Sequence, residues 1–301
     1  MSLKSWLKFI ALGILWGSSF FWIKIGIQEV SPFTLVAFRI LFAFIGLTGM
    51  MVVFRIPFPP RRWWGHFLVM GLFNLVVPFI LVAWSEQHIP SGLASILNST
   101  VPLFTILLAP FFIPDDRWSL PKLFGLLVGF IGVVILMSDR VEGASNYTLG
   151  IITMLFGAFS YAVAAVYGRW KMRELSTEIQ AFGQMLMAVL IIWPVTLAVD
   201  VPFVLPHLPM TWLAALWMGF LGSAVGTLMF FSLLSEVGPT RTTLTSYIFP
   251  LVGVLLGTLA LDEAVTWRLL AGGGLIISGV VIVNTRLTLA KGLAKMAERI
   301  Q

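Results

Sequence analysis

Apolar positions in this chain do not alternate with polar ones, and they do not fall at strict helical spacing with a water-facing stripe. They form long continuous runs divided by short polar breaks. Ten such runs stand at 7–27, 33–53, 64–84, 91–112, 121–138, 148–168, 178–198, 211–233, 240–260 and 267–285. A hydrocarbon core about 30 Å thick takes roughly 20 apolar residues wound as a helix, and lipid offers no partner to a backbone N–H or C=O. Each run therefore predicts a membrane-spanning α-helix, and the period-2 pattern of a membrane β-barrel is absent. The first run follows Lys4 and Lys8 as the core of a signal peptide would. It contains WGSSFFWIK and has no small-residue cleavage site, which predicts a retained helix.

The chain also repeats itself. Pro102 and Pro250, and likewise Gly71 and Gly219, fall on one offset, and Gly125 with Gly272 and GVVIL with GVVIV on nearly the same one. Asp115-Asp116 and Asp262-Glu263 share that diagonal, while EVSPF at 29 lies over ELSTE at 174 and WGSSF at 16 over FGAFS at 156. The pattern predicts two halves, 1–146 and 147–301, with five helices each. An odd number of spans returns the chain on the opposite side, so the second half runs through the bilayer upside down. The expected fold is an all-α polytopic membrane protein of ten helices, two inverted five-helix repeats around a central cavity, the architecture in which secondary transporters alternate access.

Two breaks stand out inside the apolar runs. SILNSTVPLF carries Asn98, Ser99, Thr100 and Pro102, and TLTSYIFPLV carries Ser246, Tyr247 and Pro250. Proline lacks an N–H and crowds the carbonyl one turn back, so Pro102 frees the C=O of Asn98 and Pro250 that of Ser246. Both lie near the middle of their spans, where a freed carbonyl must face protein or a wet cavity. One such motif reads as a kink capped by Ser or Thr; two in symmetric positions read as the lining of a shared substrate cavity.

In WGSSFFWIK, Trp16, Ser19, Phe20, Ile23 and Lys24 fall on one helical face that is aromatic, then hydroxylic, then cationic. Phe79 in the third run adds another aromatic candidate. Lys24 reads equally as a cavity anchor or as a snorkelling residue at the interface. Arg39 lies about two turns into its span, where a cation costs roughly 3 kcal/mol on insertion scales, and it predicts an inward partner, Glu29 or Glu86. Glu86 and His88 in WSEQHIP could titrate during transport, although loop polarity explains them more simply. No carboxylate is evident deep in a span, which predicts facilitated or weakly coupled flux. Gly13/Gly17, Gly125/Gly129, Gly222/Gly226 and Gly253/Gly257 have the spacing that lets helices approach closely.

Composition agrees with the pattern: of 301 residues 59% are hydrophobic and 11% charged, and mean hydropathy is +0.99. With the N-terminus inside, fifteen of the nineteen Lys and Arg fall on the cytoplasmic side, which predicts that both termini are cytoplasmic. Basic residues spread along loop edges in this way answer to topology and anionic lipid, and no nucleic-acid partner is expected. The tail RLTLAKGLAKMAERI reads as a basic amphipathic helix on the inner leaflet. There is no Cys, HExxH, GxSxG or Walker A sequence, so neither an enzyme nor a metal or other cofactor is expected. The sequence leaves the oligomeric state open and is compatible with a monomer.

LWGSSFFWIK, SPFTLVAFRILFA, WSEQHIPSGLASILNSTVPLFT and SYIFPLVGVLLGTLALDE, in that order, resemble the EamA family of the drug/metabolite transporter superfamily over essentially the whole chain. Within it the chain is most similar to YddG-type amino-acid exporters. The resemblance implies ten helices, two repeats, a central cavity and export of small metabolites across a bacterial inner membrane. The second repeat departs from the first: Phe156 stands at Trp16, Gln184 at Arg39 and Tyr247 at Ser99. The cavity is thus expected to be asymmetric. Neutral hydroxyl, amide and carbonyl groups among aromatics suit an amino-acid zwitterion; efflux of cationic or lipophilic drugs is the alternative, and a lipid-acting membrane enzyme a more distant one.

Overall fold

The computed structural model describes residues 2–114, 118–138, 144–237, 242 and 244–282, and among these every regular element is helical. Eight helices, from Leu3–Gly26 to Pro209–Phe230, are long and apolar enough to cross a membrane, and Thr245–Leu261 and Trp267–Ile282 are shorter apolar helices. Asp115-Asp116 and the basic tail lie outside the described residues.

The runs are less regular than their hydropathy. The first is two helices, α1 (Leu3–Gly17) and α2 (Ser19–Gly26), parted at Ser18. Its hydroxyl donates to the Leu15 carbonyl at 3.1 Å and accepts from Trp217 Nε1 at 3.1 Å, so a side chain from the other repeat holds the break. α3 (Pro32–Val53) follows, opened by Ser31 as N-cap and Pro32 in the first turn. The third run is α4 (Trp64–Gly71), a π-helical segment at Leu72–Val76, and α5 (Val77–Ser85). The fourth is α6 (Ser91–Asn98) and α7 (Val101–Phe112). Then come α8 (Leu120–Met137), α9 (Ala144–Lys171) and α10 (Thr177–Val199). The eighth run is α11 (Pro209–Leu216), a second π-helical segment at Trp217–Val225, and α12 (Gly226–Val237). A 3-10 turn, Leu244–Tyr247, leads into α13 (Ile248–Leu261), and α14 is Trp267–Ile282.

Glycines mark where the halves meet, and they meet symmetrically. A Cβ on Gly71 would stand 2.8 Å from the Gln184 carbonyl and 3.1 Å from the Ala188 nitrogen; one on Gly219 would stand 2.7 Å from the Arg39 carbonyl and 3.1 Å from the Ala43 nitrogen. Gly71 and Gly219, and Arg39 and Gln184, are the pairs that the repeat places over one another. α8 and α14 cross in the same manner: a Cβ on Gly132 would meet the Gly272 carbonyl at 2.5 Å, and one on Gly279 would meet the Gly125 carbonyl. Each contact is carried into the other by exchanging the repeats. Gly13 and Gly17 admit Ile248 and Val252 of α13, and Gly253 admits Ser95 of α6, as the small-residue spacing predicts.

At one rim of the bundle, carboxylates tie helix starts to foreign loops. Asp200 accepts from Ser31 and, at 2.6 Å, from the Thr34 hydroxyl at the start of α3. Glu29 accepts from the His207 and Leu208 backbone before α11. Glu263 accepts from Ser91 N at 2.7 Å and Gly92 N at 2.9 Å at the start of α6. A negative group at a helix N-terminus meets unpaired N–H groups and the positive end of the helix dipole.

The opposite end is tied by an exposed ion pair. Glu236 of α12 accepts from Lys8 and, at 2.8 Å, from Ser5 of α1. The Lys8 and Ser5 hydrogen bonds hold the Glu236 carboxyl below the usual carboxylate range despite some desolvation. A carboxyl whose folded-state value is depressed contributes stability that is present above its ordinary value of 4.5 and lost as pH falls through the lower folded-state value. Glu236→Gln is therefore expected to melt slightly earlier than wild type at pH 7 and to coincide with it in strong acid. A difference that persists unchanged into acid would rule the pair out as its source.

Candidate functional site

Besides the break at Ser18, four interruptions of regular helix lie inside the apolar runs among the described residues, two in each repeat. The break between α6 and α7 falls at Ser99 and Thr100. Its repeat partner is the 3-10 turn Leu244–Tyr247, which holds Ser246 and Tyr247 and precedes Pro250 in α13. The two π segments, Leu72–Val76 and Trp217–Val225, also overlap when one repeat is laid on the other. Their carbonyls are met from outside the helix. Ser160 on α9 donates to Phe73 O at 2.8 Å, and Trp16 on α1 donates through Nε1 to Gly222 O at 2.7 Å. Trp16 and Ser160 come from the first helix of each repeat, and each serves the opposite half. π-bulges cluster at functional positions, and irregular backbone is tolerated in a membrane only where it faces protein or a wet cavity.

Hydropathy does not show the π segments, since LFNLV and WMGFLGSAV are mostly apolar and lie within continuous runs. Pro78, just after the first, was the available signal: it removes a donor and frees the Asn74 carbonyl. Asn74 itself donates to Gln184 Oε1 at 2.9 Å, joining the first π segment to α10.

The predicted site residues fall into distinct groups. Asn98 ends α6, and its Oδ1 is buried without a partner. Ser99 and Thr100 turn their hydroxyls back to the Ser95 and Leu97 carbonyls at 3.2 and 2.6 Å, so they serve the break itself. Pro102 stands in the first turn of α7, where the missing N–H costs nothing. Ser246 and Tyr247 are half-buried and Pro250 is buried. The face expected to run from Trp16 to Lys24 is divided, because the helix breaks at Ser18. Ser19 is buried and donates weakly, at 3.4 Å, to the Leu15 carbonyl, and Phe20 and Ile23 belong to the packed apolar core.

Arg39 finds neither of its expected partners within ion-pair distance. Its guanidinium lies over the Phe79 ring at 3.8 Å, a cation–π contact. One Nη reaches only Met218 Sδ at 3.9 Å, and Nε has no partner. Tyr161 of α9, 6.4 Å from Phe79 between ring centroids, and Glu86 lie within electrostatic reach. Glu29 is not free to pair, because the start of α11 holds it. Arg39 thus presents a cation over one aromatic ring, with Tyr161 beside that ring and donor capacity unspent.

Glu86 was expected to sit in a polar loop. It caps α5 instead and is 0% exposed. Lys24 neither snorkels nor pairs with a carboxylate: its ammonium donates to the carbonyls of Glu86 and, at 3.0 Å, Ile89. His88 packs on Trp84 with centroids 4.4 Å apart and lines a cleft of about 330 Å³ with Pro90, Gly92, Tyr147 and Glu263. Among the described residues, no group of three or more His, Cys, Asp and Glu is placed to hold a metal.

A family model described as the EamA-like transporter family matches residues 4–138 and again 148–285. The chain belongs to the EamA-like transporter family. As an EamA protein it is a multi-pass membrane transporter with a two-repeat fold. It is 30% identical over 281 residues to the uncharacterized inner membrane transporter YedA of Escherichia coli K12, spanning 91% of this chain and 88% of YedA. It is 26% identical over 298 residues to a probable amino-acid metabolite efflux pump of the same organism, spanning 94% and 95% of the two. A solved crystal structure shares the fold with TM-score 0.65 at 20% identity, over 93% of this chain and 96% of that one.

Proposed function

We propose that this EamA protein is a secondary transporter that exports neutral amino acids, aromatic ones included, and similar small metabolites by alternating access. In this reading the halves 1–146 and 147–301 are inverted repeats of five spans, both termini are cytoplasmic, and the membrane is a bacterial inner membrane. The observation that carries it is the pairing of irregular backbone, a broken helix and a π segment in each repeat, at positions that overlap when one repeat is laid on the other. Two halves that differ only in how they close can exchange roles, which opens a central site to one side and then the other.

The amino-acid assignment draws support from the Arg39, Phe79 and Tyr161 group. An unpaired guanidinium accepts a carboxylate, and the rings beside it accept an apolar side chain. Efflux of cationic drugs would instead need a carboxylate free of cations, and Glu86 lies within reach of both Lys24 and Arg39. A relative 26% identical to this chain is named a probable amino-acid metabolite efflux pump, which supports the same assignment.

Flux from proteoliposomes loaded with a panel of amino acids or cationic dyes tests the reading, with movement expected for the amino acids; movement of dyes alone would reverse the assignment. Asn98→Leu should cut that flux steeply while leaving the amount of folded protein unchanged, and Leu255→Phe, at a position 57% exposed, should leave both unchanged. The chain has no Cys, so Asn98→Cys and Ser246→Cys report directly on water access. Protection of both positions from water-soluble thiol reagents, with normal flux in Asn98→Leu, would reduce the breaks to packing kinks.

A further inference from the structure

Glu86 is the group that neither the fold nor the proposed substrate site uses. It is 0% exposed, and neither carboxyl oxygen has a hydrogen-bond partner. It caps the C-terminus of α5, the negative end of that helix's dipole. An ionised carboxylate without donors in such a place loses its hydration and gains nothing in return, so the form that belongs there is the neutral acid.

The charged groups around it come from three other elements: Lys24 on α2, Arg39 on α3 and Glu263 after α13. α9 contributes Tyr161, which faces Arg39, and the same turn carries His88, which is turned onto Trp84. Lys24 is the group poised to matter. Its ammonium is spent on the carbonyls of Glu86 and Ile89 and makes no hydrogen bond to the Glu86 carboxyl. A cleft lined by His88 and Glu263 lies beside the same turn.

We propose that Glu86 is a proton-binding site, neutral in the state seen here, which gives its proton up when Lys24 moves from the backbone carbonyls onto the carboxylate. In that step the carboxyl O–H bond breaks, the proton passes to water, and the carboxylate formed is held by the ammonium. No other reactant is needed. The rest of the cycle then has a reason to alternate, because α2 and the α5–α6 turn must shift for the exchange to occur. Such a site stands against the expectation of facilitated or weakly coupled flux, which rested on no carboxylate being evident deep in a span. The proposal rests on the transporter reading only for its use; the site itself is tested without substrate.

The test is infrared difference spectroscopy of the full chain in lipid, wild type minus Glu86→Gln, across a pH series. At pH 7 the difference is expected to show the carbonyl stretch of a protonated carboxyl, sensitive to deuterium exchange and absent from the variant. A difference made only of carboxylate stretches would overturn the proposal. Glutamine copies the neutral form, so Glu86→Gln is expected to melt with wild type, and a variant that fails to fold would overturn it equally. Lys24→Met removes the cation that favours release, and the protonated band should then persist to higher pH. Loss of the band at an unchanged pH would remove Lys24 from the mechanism. Failure of every amino acid in the flux assay would leave all of these outcomes standing, so the two readings fail separately.

Discussion

Gly132→Ala is expected to lower the melting temperature of the protein sharply and to cut the yield of folded chain. The added Cβ would stand 2.5 Å from the Gly272 carbonyl and 3.0 Å from the Ile276 nitrogen, and both are backbone atoms of α14 that no rotamer change can move. Overpacking of this kind costs about 1–3 kcal/mol where side chains can yield, and more where two helices must part. Gly274→Ala, on α14, is the matched control, since a Cβ there meets nothing within 4 Å beyond its own helix. Replacing glycine by alanine at an open helical position is neutral or mildly stabilising in water-soluble helices, by up to about 1 kcal/mol. Thermal melts in detergent, read by the monodisperse fraction that survives heating, separate the two variants. Equal melting of Gly132→Ala and Gly274→Ala would show that the crossing of α8 and α14 is looser than its geometry.

Arg39→Gln is expected to raise the substrate concentration for half-maximal amino-acid efflux by about ten- to hundredfold. One hydrogen bond to a charged group contributes about 1.5–3 kcal/mol, and each 1.4 kcal/mol is about tenfold in affinity. Glutamine is what the second repeat carries at this position, in Gln184, so the exchange asks for nothing that the fold does not already accommodate. The loss should be confined to substrates that bear a carboxylate, and amines of the same shape should move as before. An equal loss for both would assign Arg39 to the packing on Phe79 instead of to substrate. Melting curves guard against a folding defect, because the guanidinium also covers the Phe79 ring at 3.8 Å.

The glycine contacts between helices and the α6–α7 break were legible because they are written in residues with few backbone options. Proline removes a donor wherever it stands, and glycine pairs at a fixed offset record where backbones touch. The π segments were not legible. A π-bulge needs one more residue per turn but no particular residue, and Leu72–Val76 and Trp217–Val225 read as ordinary lipid-soluble helix. The rim carboxylates were missed for a different reason: Glu29, Asp200 and Glu263 act on helix starts far away in sequence, which no local motif encodes. Glu86 was misplaced by the same logic. In WSEQHIP it has the neighbours of a turn, and only the packing of α2, α3 and α9 over that turn buries it. Arg39 was rightly singled out as costly, but its contact is an aromatic face, and periodicity cannot tell a ring from a carboxylate as the neighbour of a buried cation.

The crossing of α8 and α14 has the form of a self-complementary interface: Gly125 faces Gly279 and Gly132 faces Gly272, each pairing the exchanged copy of the other. Contacts of that type are the mark of isologous dimers. A five-helix chain with the α8 surface would meet a second copy of itself there without any new contact being invented. Joining two such chains in one polypeptide keeps that surface under a shared constraint and releases every other position to diverge. Arg39 and Gln184, or Trp16 and Phe156, are free to differ, so one half can hold a charge that the other could not tolerate in duplicate.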